Sequence, residues 1–204
     1  MDQTPEPRTR TRTIVVFSLL ALIFGAVVVF GYFSTFARPI TTVIVVRHAE
    51  KNIEPNNPDP DLSPAGQARA QEIARMFGDS GVQAIYATEY KRTQQTVAPL
   101  ASKLGLPIVS VDAKQSEELT RRILSNNRGQ TVFVAGHNNT APEIVNMLSG
   151  ANGERYPQIP ESEYDNLFIV TVYRFGKAKV LRLKYGSEST QGVGTGTMVP
   201  MKNQ

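Results

Sequence analysis

Short apolar runs recur along the chain after residue 40, and polar or turn-forming residues separate them. Four of these runs have the length and the β-branched composition of buried strands, at residues 42–46, 84–87, 107–111 and 131–135. Two further strands are predicted at residues 167–174 and 178–185, with a turn near Gly176. The pattern therefore predicts a sheet of six strands.

The segments between the first strands carry apolar residues at helical spacing, as at residues 97–104. Helix starts are marked by capping residues at Ser63 and Ser116, and by a capping box formed by Thr140 and Glu143. Strands that alternate with helices favour a sheet covered by helices on both faces. We therefore predict an α/β fold, a three-layer sandwich with a mostly parallel sheet and an antiparallel edge.

Residues 13–37 form a longer apolar segment that contains no charged residue. Roughly 20 apolar residues suffice to cross the hydrocarbon core of a bilayer, so the segment predicts one transmembrane helix. Three arginines precede it, whereas Arg38 alone follows it. The positive-inside bias makes residues 1–12 a cytoplasmic tail and predicts a single-pass cell-membrane protein, with its catalytic domain on the extracytoplasmic side.

Two other interpretations of the apolar segment remain open. A cleaved signal peptide has an apolar core of roughly 7–15 residues and a cleavage site between small residues, and Thr35-Phe36-Ala37 fits such a site poorly. A buried core helix would need a polar outer face, which the segment lacks. Beyond the anchor we expect one domain at residues 42–185, and a flexible tail rich in Gly, Ser and Thr at residues 186–204.

The chain has only two histidines, and each follows an apolar run that predicts a buried strand. His48 follows the first run, with Arg47 directly before it, and His137 follows the fourth. In an open parallel sheet, ligands bind in the crevice at the carboxyl ends of the strands, so we expect the two imidazoles to meet in one pocket. The arginine beside His48 indicates that this pocket binds an anion, and a phosphoryl group is the anion we expect.

Four segments resemble the motifs of the histidine phosphatase superfamily, which includes the phosphoglycerate mutases and the phosphohistidine phosphatases. Val46-Arg47-His48-Ala49-Glu50 resembles its Arg-His-Gly signature, with Ala49 where glycine is usual. Residues 61–66 resemble its first helix-opening segment, residues 88–96 its Ser-x-x-x-Arg-x-x-x-Thr segment, and residues 136–140 its second histidine motif. The resemblance covers most of the chain after the first forty residues.

The resemblance implies a phosphatase without a cofactor or a metal ion. His48 would accept the phosphoryl group as a phosphohistidine, which water then hydrolyses. Arg47 and Arg92 would clamp the phosphoryl oxygens, because guanidinium groups fit phosphate geometry, and His137 would donate a further hydrogen bond. Thr88, which stands where serine is common, is either a phosphate-binding hydroxyl or a helix cap.

The general acid that protonates the leaving group is the least determined role. The candidates are Glu50, Glu117 and Glu118, followed by Glu89 and Asp112. Many members of the family take a glutamate from the segment between the second arginine and the second histidine, which is short here. Glu117 and Glu118 equally suit the first turn of a helix, where they stabilise its dipole. A phosphohistidine or phosphoanhydride substrate has a better leaving group and needs less help from an acid.

The composition excludes several other classes. The chain has no cysteine, which excludes disulfides, cysteine nucleophiles and thiolate metal sites. Two histidines without cysteine argue against structural zinc, and a formal net charge of +4 is not that of a nucleic-acid-binding protein. The expected partners are the membrane, through residues 13–37, and a phosphorylated small molecule, lipid head group or phosphoprotein as substrate.

These features together predict a membrane-anchored phosphatase of phosphomonoesters or phosphoramidates. The alternative is a catalytically silent phosphate-binding or scaffold domain, and the complete set of two histidines and two arginines argues against it. A mutase must enclose and reorient a phosphorylated intermediate, and the short chain leaves little to do so.

Overall fold

The computed structural model describes residues 7–36, 39–150, 153–173 and 177–189, which fall into two compact units, Met1–Arg38 and Pro39–Gln204. The first unit has the described helix α1 (Pro7–Phe36). Its stretch Arg12–Ser34 is 23 residues long and has a mean hydropathy of 2.9 over an 18-residue window, so it is long and apolar enough for a membrane span. A signal sequence has the same features, so α1 is a candidate span. The helix begins at Pro7, within the predicted cytoplasmic tail, and residues 1–6 lie outside the described residues.

The second unit is built on a six-stranded sheet with the order β3-β2-β4-β1-β5-β6. The strands are β1 (Pro39–Arg47), β2 (Val82–Thr88), β3 (Ile108–Val111), β4 (Thr131–Gly136), β5 (Asn166–Tyr173) and β6 (Ala178–Lys184). Strands β1 to β4 all run parallel to one another. Strand β5 runs antiparallel to both of its neighbours, β1 and β6. The predicted mostly parallel sheet with an antiparallel edge is confirmed.

Four helices cover the two faces of this sheet: α2 (Pro64–Phe77), α3 (Lys91–Leu104), α4 (Ser116–Asn126) and α5 (Thr140–Ser149). Side chains of β1 alternate between the faces. Ile44 and Val46 join the core beneath α2 and α3, whereas Val43 and Val45 join the core beneath α4 and α5. The predicted three-layer sandwich is therefore confirmed.

The helix starts follow the predictions only in part. Ser63 caps α2 as expected, and its side chain accepts a hydrogen bond from the Gly66 N–H. The capping box at Thr140 is wrong, because Asn139 is the N-cap of α5. Ser116 is the first residue of α4 rather than its cap. The Thr140 hydroxyl instead accepts the backbone N–H of His137 at 2.8 Å, so it fixes a histidine of the site.

The first residues of the predicted tail at residues 186–204 contact the domain. The Ser187 carbonyl accepts a hydrogen bond from Arg69 at 2.8 Å. The Ser189 hydroxyl accepts the backbone N–H of Tyr164 at 2.7 Å. Residues 190–204 lie outside the described residues, as does the predicted turn at Gly176.

Candidate active site

The carboxyl ends of β1 and β4 lie side by side and bring the two histidines together. Arg47 at the end of β1 is opposite Gly136 at the end of β4, and the backbone N–H of His48 donates to the Gly136 carbonyl at 2.8 Å. The ring centroids of His48 and His137 are 5.4 Å apart. The two imidazoles therefore share one site at this edge of the sheet, where parallel strands place their ligands.

His48 is held in one tautomer by the residue that follows it. Its Nδ1 lies 2.8 Å from the Ala49 carbonyl oxygen. A carbonyl can only accept, so Nδ1 carries the proton and Nε2 keeps a lone pair in the neutral ring. Burial lowers the pKa of His48 to about 3, with Arg47 adding to the effect and the Ala49 hydrogen bond opposing it. His48 is thus a neutral imidazole with a lone pair, as a nucleophile requires.

Arg47 is fully buried and is held by the irregular segment that precedes β5. Its Nη1 donates to the carbonyls of Pro160, Glu161 and Glu163, each at 2.9 Å. Its Nη2 donates to the Glu161 carboxylate at 2.7 Å, and the Tyr164 ring centroid lies 4.2 Å from the guanidinium carbon. Its Nε is buried and has no hydrogen-bond partner within the described part of the chain.

Arg92 is held in the same manner by a different loop. Its Nη1 lies 3.3 Å from the Asp59 carboxylate and 3.4 Å from the Pro58 carbonyl, and the Tyr90 ring centroid lies 4.3 Å from its guanidinium carbon. Its Nε is likewise buried and unpartnered among the described residues. Leaving a buried donor unpaired is costly, and guanidinium N–H groups bind phosphoryl oxygens well. The two free Nε–H groups therefore mark the site as one for an anion.

His137 is bound to the end of the neighbouring strand β2. Its Nε2 lies 2.9 Å from the Thr88 hydroxyl, and its ring centroid is 5.1 Å from that of Tyr90. Burial lowers the pKa of His137 to about 4, with Arg92 and Arg47 adding to the effect. The N-cap of α3 is Tyr90, so the alternative of Thr88 as a helix cap is wrong, and its hydroxyl belongs to the site.

One buried hydroxyl ties the two halves of the site together. The Thr96 hydroxyl accepts the backbone N–H of Ala49 at 2.9 Å and donates to the Arg92 carbonyl at 2.6 Å. The segment after His48 is therefore fixed to the helix that carries Arg92. This contact positions His48 and Arg92 relative to each other.

The first candidate for the general acid, Glu50, lies in a partly buried ion pair with Arg69. Its carboxylate accepts hydrogen bonds from Arg69 Nε at 3.0 Å and from Arg69 Nη2 at 2.7 Å. Arg69 also donates to the Tyr185 carbonyl at 3.0 Å. These contacts give Glu50 a structural role, as the link between the segment after His48 and α2.

The other candidate acids are engaged elsewhere or exposed. Glu117 and Glu118 lie in the first turn of α4, where acidic residues stabilise the helix dipole, as the alternative interpretation predicts. Glu118 also forms an ion pair with Arg121. Glu89 accepts the backbone N–H of Ala113, and Asp112 that of Lys114. Among the described contacts, none of the five carboxylates forms a hydrogen bond or ion pair with either histidine. No cluster of three or more His, Cys, Asp or Glu side chains suited to a metal ion occurs in the described ranges.

Four residues that line the site were missed from the sequence: Asp59, Tyr90, Glu161 and Tyr164. Tyr90 lies two positions before Arg92, within a recognised motif, so its place could have been expected. Asp59 lies in a proline-rich loop, and Glu161 and Tyr164 lie in an irregular segment between α5 and β5. These three reach the site through the fold alone, and no sequence motif marks them.

Comparisons with known proteins agree with this geometry. The sequence model of the histidine phosphatase superfamily, branch 1, matches residues 43–115. A search of curated proteins gave no match to the chain. Among solved structures, the protein histidine phosphatase SixA complexed with tungstate matches at a TM-score of 0.55 and 18% identity, over 70% of this chain and 96% of that one.

Two other solved structures have the same fold. A SixA protein of Agrobacterium tumefaciens matches at a TM-score of 0.55 and 23% identity, over 73% of this chain and 100% of its own. A mycobacterial glucosyl-3-phosphoglycerate phosphatase matches at a TM-score of 0.55 and 10% identity, over 70% of this chain and 97% of that one. The fold is therefore that of the histidine phosphatases, and the findings support phosphatase chemistry at the site.

Proposed function

Because the chain resembles the histidine phosphatase superfamily in both sequence and fold, we propose that it is a membrane-anchored phosphatase that hydrolyses a phosphomonoester or a phosphoramidate. His48 forms a phosphohistidine intermediate, and Arg47, Arg92, His137 and Thr88 surround the phosphoryl group. The observation that carries this proposal is the neutral His48, with its Nε2 lone pair, beside two guanidinium groups whose buried Nε–H donors have no partner among the described residues.

The reaction follows from these positions in two displacements. In the first, the Nε2 lone pair of His48 attacks phosphorus, an N–P bond forms, and the bond from phosphorus to the leaving group breaks. The leaving group departs with a proton from an acid or from water. In the second, water attacks phosphorus, the N–P bond breaks, and phosphate leaves with the Nε2 lone pair restored. The arginines stabilise the charge on the phosphoryl oxygens in both steps.

The arginines also supply the positive charge that a metal ion gives in other phosphoryl-transfer sites, so we propose metal-independent turnover. The full chain in detergent should keep its activity after treatment with a chelator. Loss of activity that returns on adding a divalent cation would contradict this part of the proposal.

The expected substrate class follows from the positions of the candidate general acids, none of which contacts either histidine in the described part of the chain. Since Glu50 is paired with Arg69 and the α4 carboxylates are exposed, turnover relies on a leaving group that departs readily. Glu50→Gln, Glu117→Gln and Glu118→Gln should therefore lose no more activity on poor leaving groups than on activated ones. A strong loss confined to poor leaving groups in one variant would identify that residue as the acid. Phosphohistidine peptides, sugar phosphates and lipid head-group phosphates are the substrates to compare.

The decisive experiment concerns the nucleophile. His48→Ala should abolish turnover, and Arg92→Ala should lower it by about 10²–10³, as loss of one transition-state contact typically does. Acid-labile phosphate should be trapped on the wild-type protein and absent from His48→Ala. Wild-type turnover in His48→Ala would exclude this mechanism, whereas absence of turnover in the wild-type protein on every phosphorylated substrate compared would favour the scaffold alternative.

The membrane topology is the second part of the proposal. The apolar stretch Arg12–Ser34 suits a membrane span, and the arginines before it favour a cytoplasmic N-terminus. Alkaline phosphatase fused after Gln204 in a bacterial host should therefore be active. An inactive, protease-protected fusion would contradict the orientation, and a mature N-terminus near Arg38 would show a cleaved signal instead.

A further inference from the structure

A pair of buried threonine hydroxyls stands behind His137. The Thr93 hydroxyl lies 2.8 Å from the Thr88 hydroxyl, 2.7 Å from the Tyr90 carbonyl and 3.0 Å from the Thr88 carbonyl. Both threonine side chains are buried. Thr93 was not singled out in the sequence, although it directly follows Arg92.

Donor and acceptor counting assigns the protons along this pair. Carbonyl oxygens only accept, so the single Thr93 proton goes to the carbonyls of Tyr90 and Thr88. The Thr88 hydroxyl must then donate its own proton to Thr93. The Thr88 hydroxyl also lies 2.9 Å from His137 Nε2. Because its only proton is already donated to Thr93, it can only accept a hydrogen bond from that nitrogen. His137 Nε2 therefore carries the proton, and Nδ1 holds the lone pair of the neutral ring.

This assignment leaves Nδ1 as the ring nitrogen available to a ligand, and a lone pair there repels a phosphoryl oxygen. We propose that the Thr88–Thr93 pair holds His137 as the Nε2–H tautomer, so that binding of a phosphoryl dianion is coupled to the uptake of one proton at Nδ1. The proposal rests on the proposed function, in that it takes the site to bind a phosphoryl group. Thr93 is a positioning residue, which acts through Thr88 on His137.

The charges around His137 explain why the proton arrives with the ligand. Without a ligand, burial disfavours a positive imidazolium; Arg92 on α3 and Arg47 at the end of β1 add to this effect, and Asp59 in the loop before α2 opposes it only in part. The neighbouring ring of His48 brings no negative charge, and the Tyr90 ring contacts His137 edge-on. A bound dianion reverses this balance, because it places two negative charges between the arginines and the ring. The proton comes from solvent, so charge and atoms balance.

The two histidines make the test direct, because the full chain in detergent micelles, labelled with ¹⁵N-histidine, gives only four ring nitrogen signals. In the ligand-free protein at neutral pH, His137 should show a protonated Nε2 and an unprotonated Nδ1. After addition of tungstate, used here as a dianion that resembles phosphate, both nitrogens should be protonated. A protonated Nδ1 in the ligand-free wild type would overturn the proposal.

Thr93→Val is the informative variant. Without the Thr93 hydroxyl, Thr88 donates its proton to His137 Nε2, and the neutral ring then carries its proton on Nδ1. Calorimetry in buffers of different ionisation enthalpy should give uptake of about one proton per tungstate in the wild type and about none in Thr93→Val. Above neutral pH, wild-type affinity should fall about tenfold for each pH unit, and that of Thr93→Val should stay nearly constant.

Two further variants separate this role from simple packing. Thr93→Ser keeps the hydroxyl and should restore the wild-type tautomer and proton uptake. Thr120→Val also removes a buried hydroxyl, one that donates to the Ser116 carbonyl at 2.8 Å on α4, and it should change neither readout. Equal proton uptake in the wild type and Thr93→Val would overturn the proposal while leaving the phosphatase function intact. Failure of the wild type to bind tungstate and to hydrolyse any phosphate would instead remove the proposed function, and the tautomer measurement on the ligand-free protein would still decide the Thr93 assignment.

Discussion

Glu161 joins Arg47 through a carboxylate oxygen 2.7 Å from Nη2, and its other oxygen accepts from the Asn138 side chain at 2.6 Å. Arg47 directly precedes His48, and Asn138 directly follows His137. The side chain of Glu161 is 75% exposed, whereas that of Arg47 is 1% exposed. An exposed carboxylate thus occupies a guanidinium donor that suits a phosphoryl oxygen. We expect Glu161 and an anionic ligand to compete for Arg47.

We therefore expect Glu161→Gln to tighten the binding of inorganic phosphate. Arg47 stays in place because three carbonyls still hold its Nη1, and removal of one negative charge beside the site lowers the repulsion of the anion. An effect of about 1 kcal/mol is expected for a partly screened charge at this range, which is about fivefold in affinity. Calorimetric titration with phosphate measures it.

Asp79→Asn is the matched control for this prediction, because it removes the same charge from a 92% exposed side chain between α2 and β2, at the opposite edge of the sheet. It should leave phosphate affinity unchanged. Weaker phosphate binding in Glu161→Gln would show that Glu161 orients Arg47 rather than competing for it.

The Glu50–Arg69 ion pair should contribute strongly to stability. The Arg69 side chain is only 4% exposed, so Arg69→Leu leaves Glu50 and the Tyr185 carbonyl without their donor. Breaking a fully buried pair typically costs about 3–5 kcal/mol, and since the Glu50 side chain is 17% exposed we expect the lower end of this range. Arg75→Leu on the same helix removes a 73% exposed partner of Glu72 and should leave the urea midpoint unchanged. Similar midpoints for the two variants would contradict the structural role of the Glu50–Arg69 pair.

Gly66→Ala should impair both folding and turnover. A Cβ atom at this position would lie 2.0 Å from the Glu50 carbonyl oxygen, so α2 must move away from the segment that orients His48. Overpacking of this kind costs about 1–3 kcal/mol. At Gly78, just after the same helix, a Cβ would meet only the flexible end of the Lys103 side chain, and φ is −63°. Gly78→Ala should retain both stability and activity, and a larger loss there than at Gly66 would refute the argument.

The free energy of unfolding should fall as the pH drops below about 6.5, the ordinary pKa of histidine. The folded-state pKa of His48 is about 3, against an ordinary 6.5, so between these values the unfolded chain binds a proton that the folded chain does not. The titration of His48 therefore does not reduce the free energy of unfolding above about pH 6.5, and it lowers that free energy by about 2 kcal/mol at pH 5. Urea unfolding at both pH values should show a smaller decrease for His48→Gln, and equal decreases would indicate that His48 is charged in the folded protein.

Much of the site could be predicted because its residues follow strands directly. His48, His137 and Thr88 each lie at or just after the end of a parallel strand, and such ends meet at one edge. The local pattern also predicted Ser63 as a cap, since that contact spans only three residues. It misplaced the cap of α5, because the Thr140 hydroxyl binds the backbone of His137 instead.

By itself, then, the sequence determined the alternation of strands and helices, the apolar stretch before the domain, and the four residues that we propose to bind the phosphoryl group. The tertiary structure alone decided what surrounds them. Glu161 and Tyr164 reach Arg47 across more than a hundred residues, and Arg69 reaches the Tyr185 carbonyl across as many. Contacts of this kind depend on how whole elements pack, so no local pattern encodes them. The same holds for the protons of His137, because its tautomer is set by a hydroxyl pair from another strand and helix.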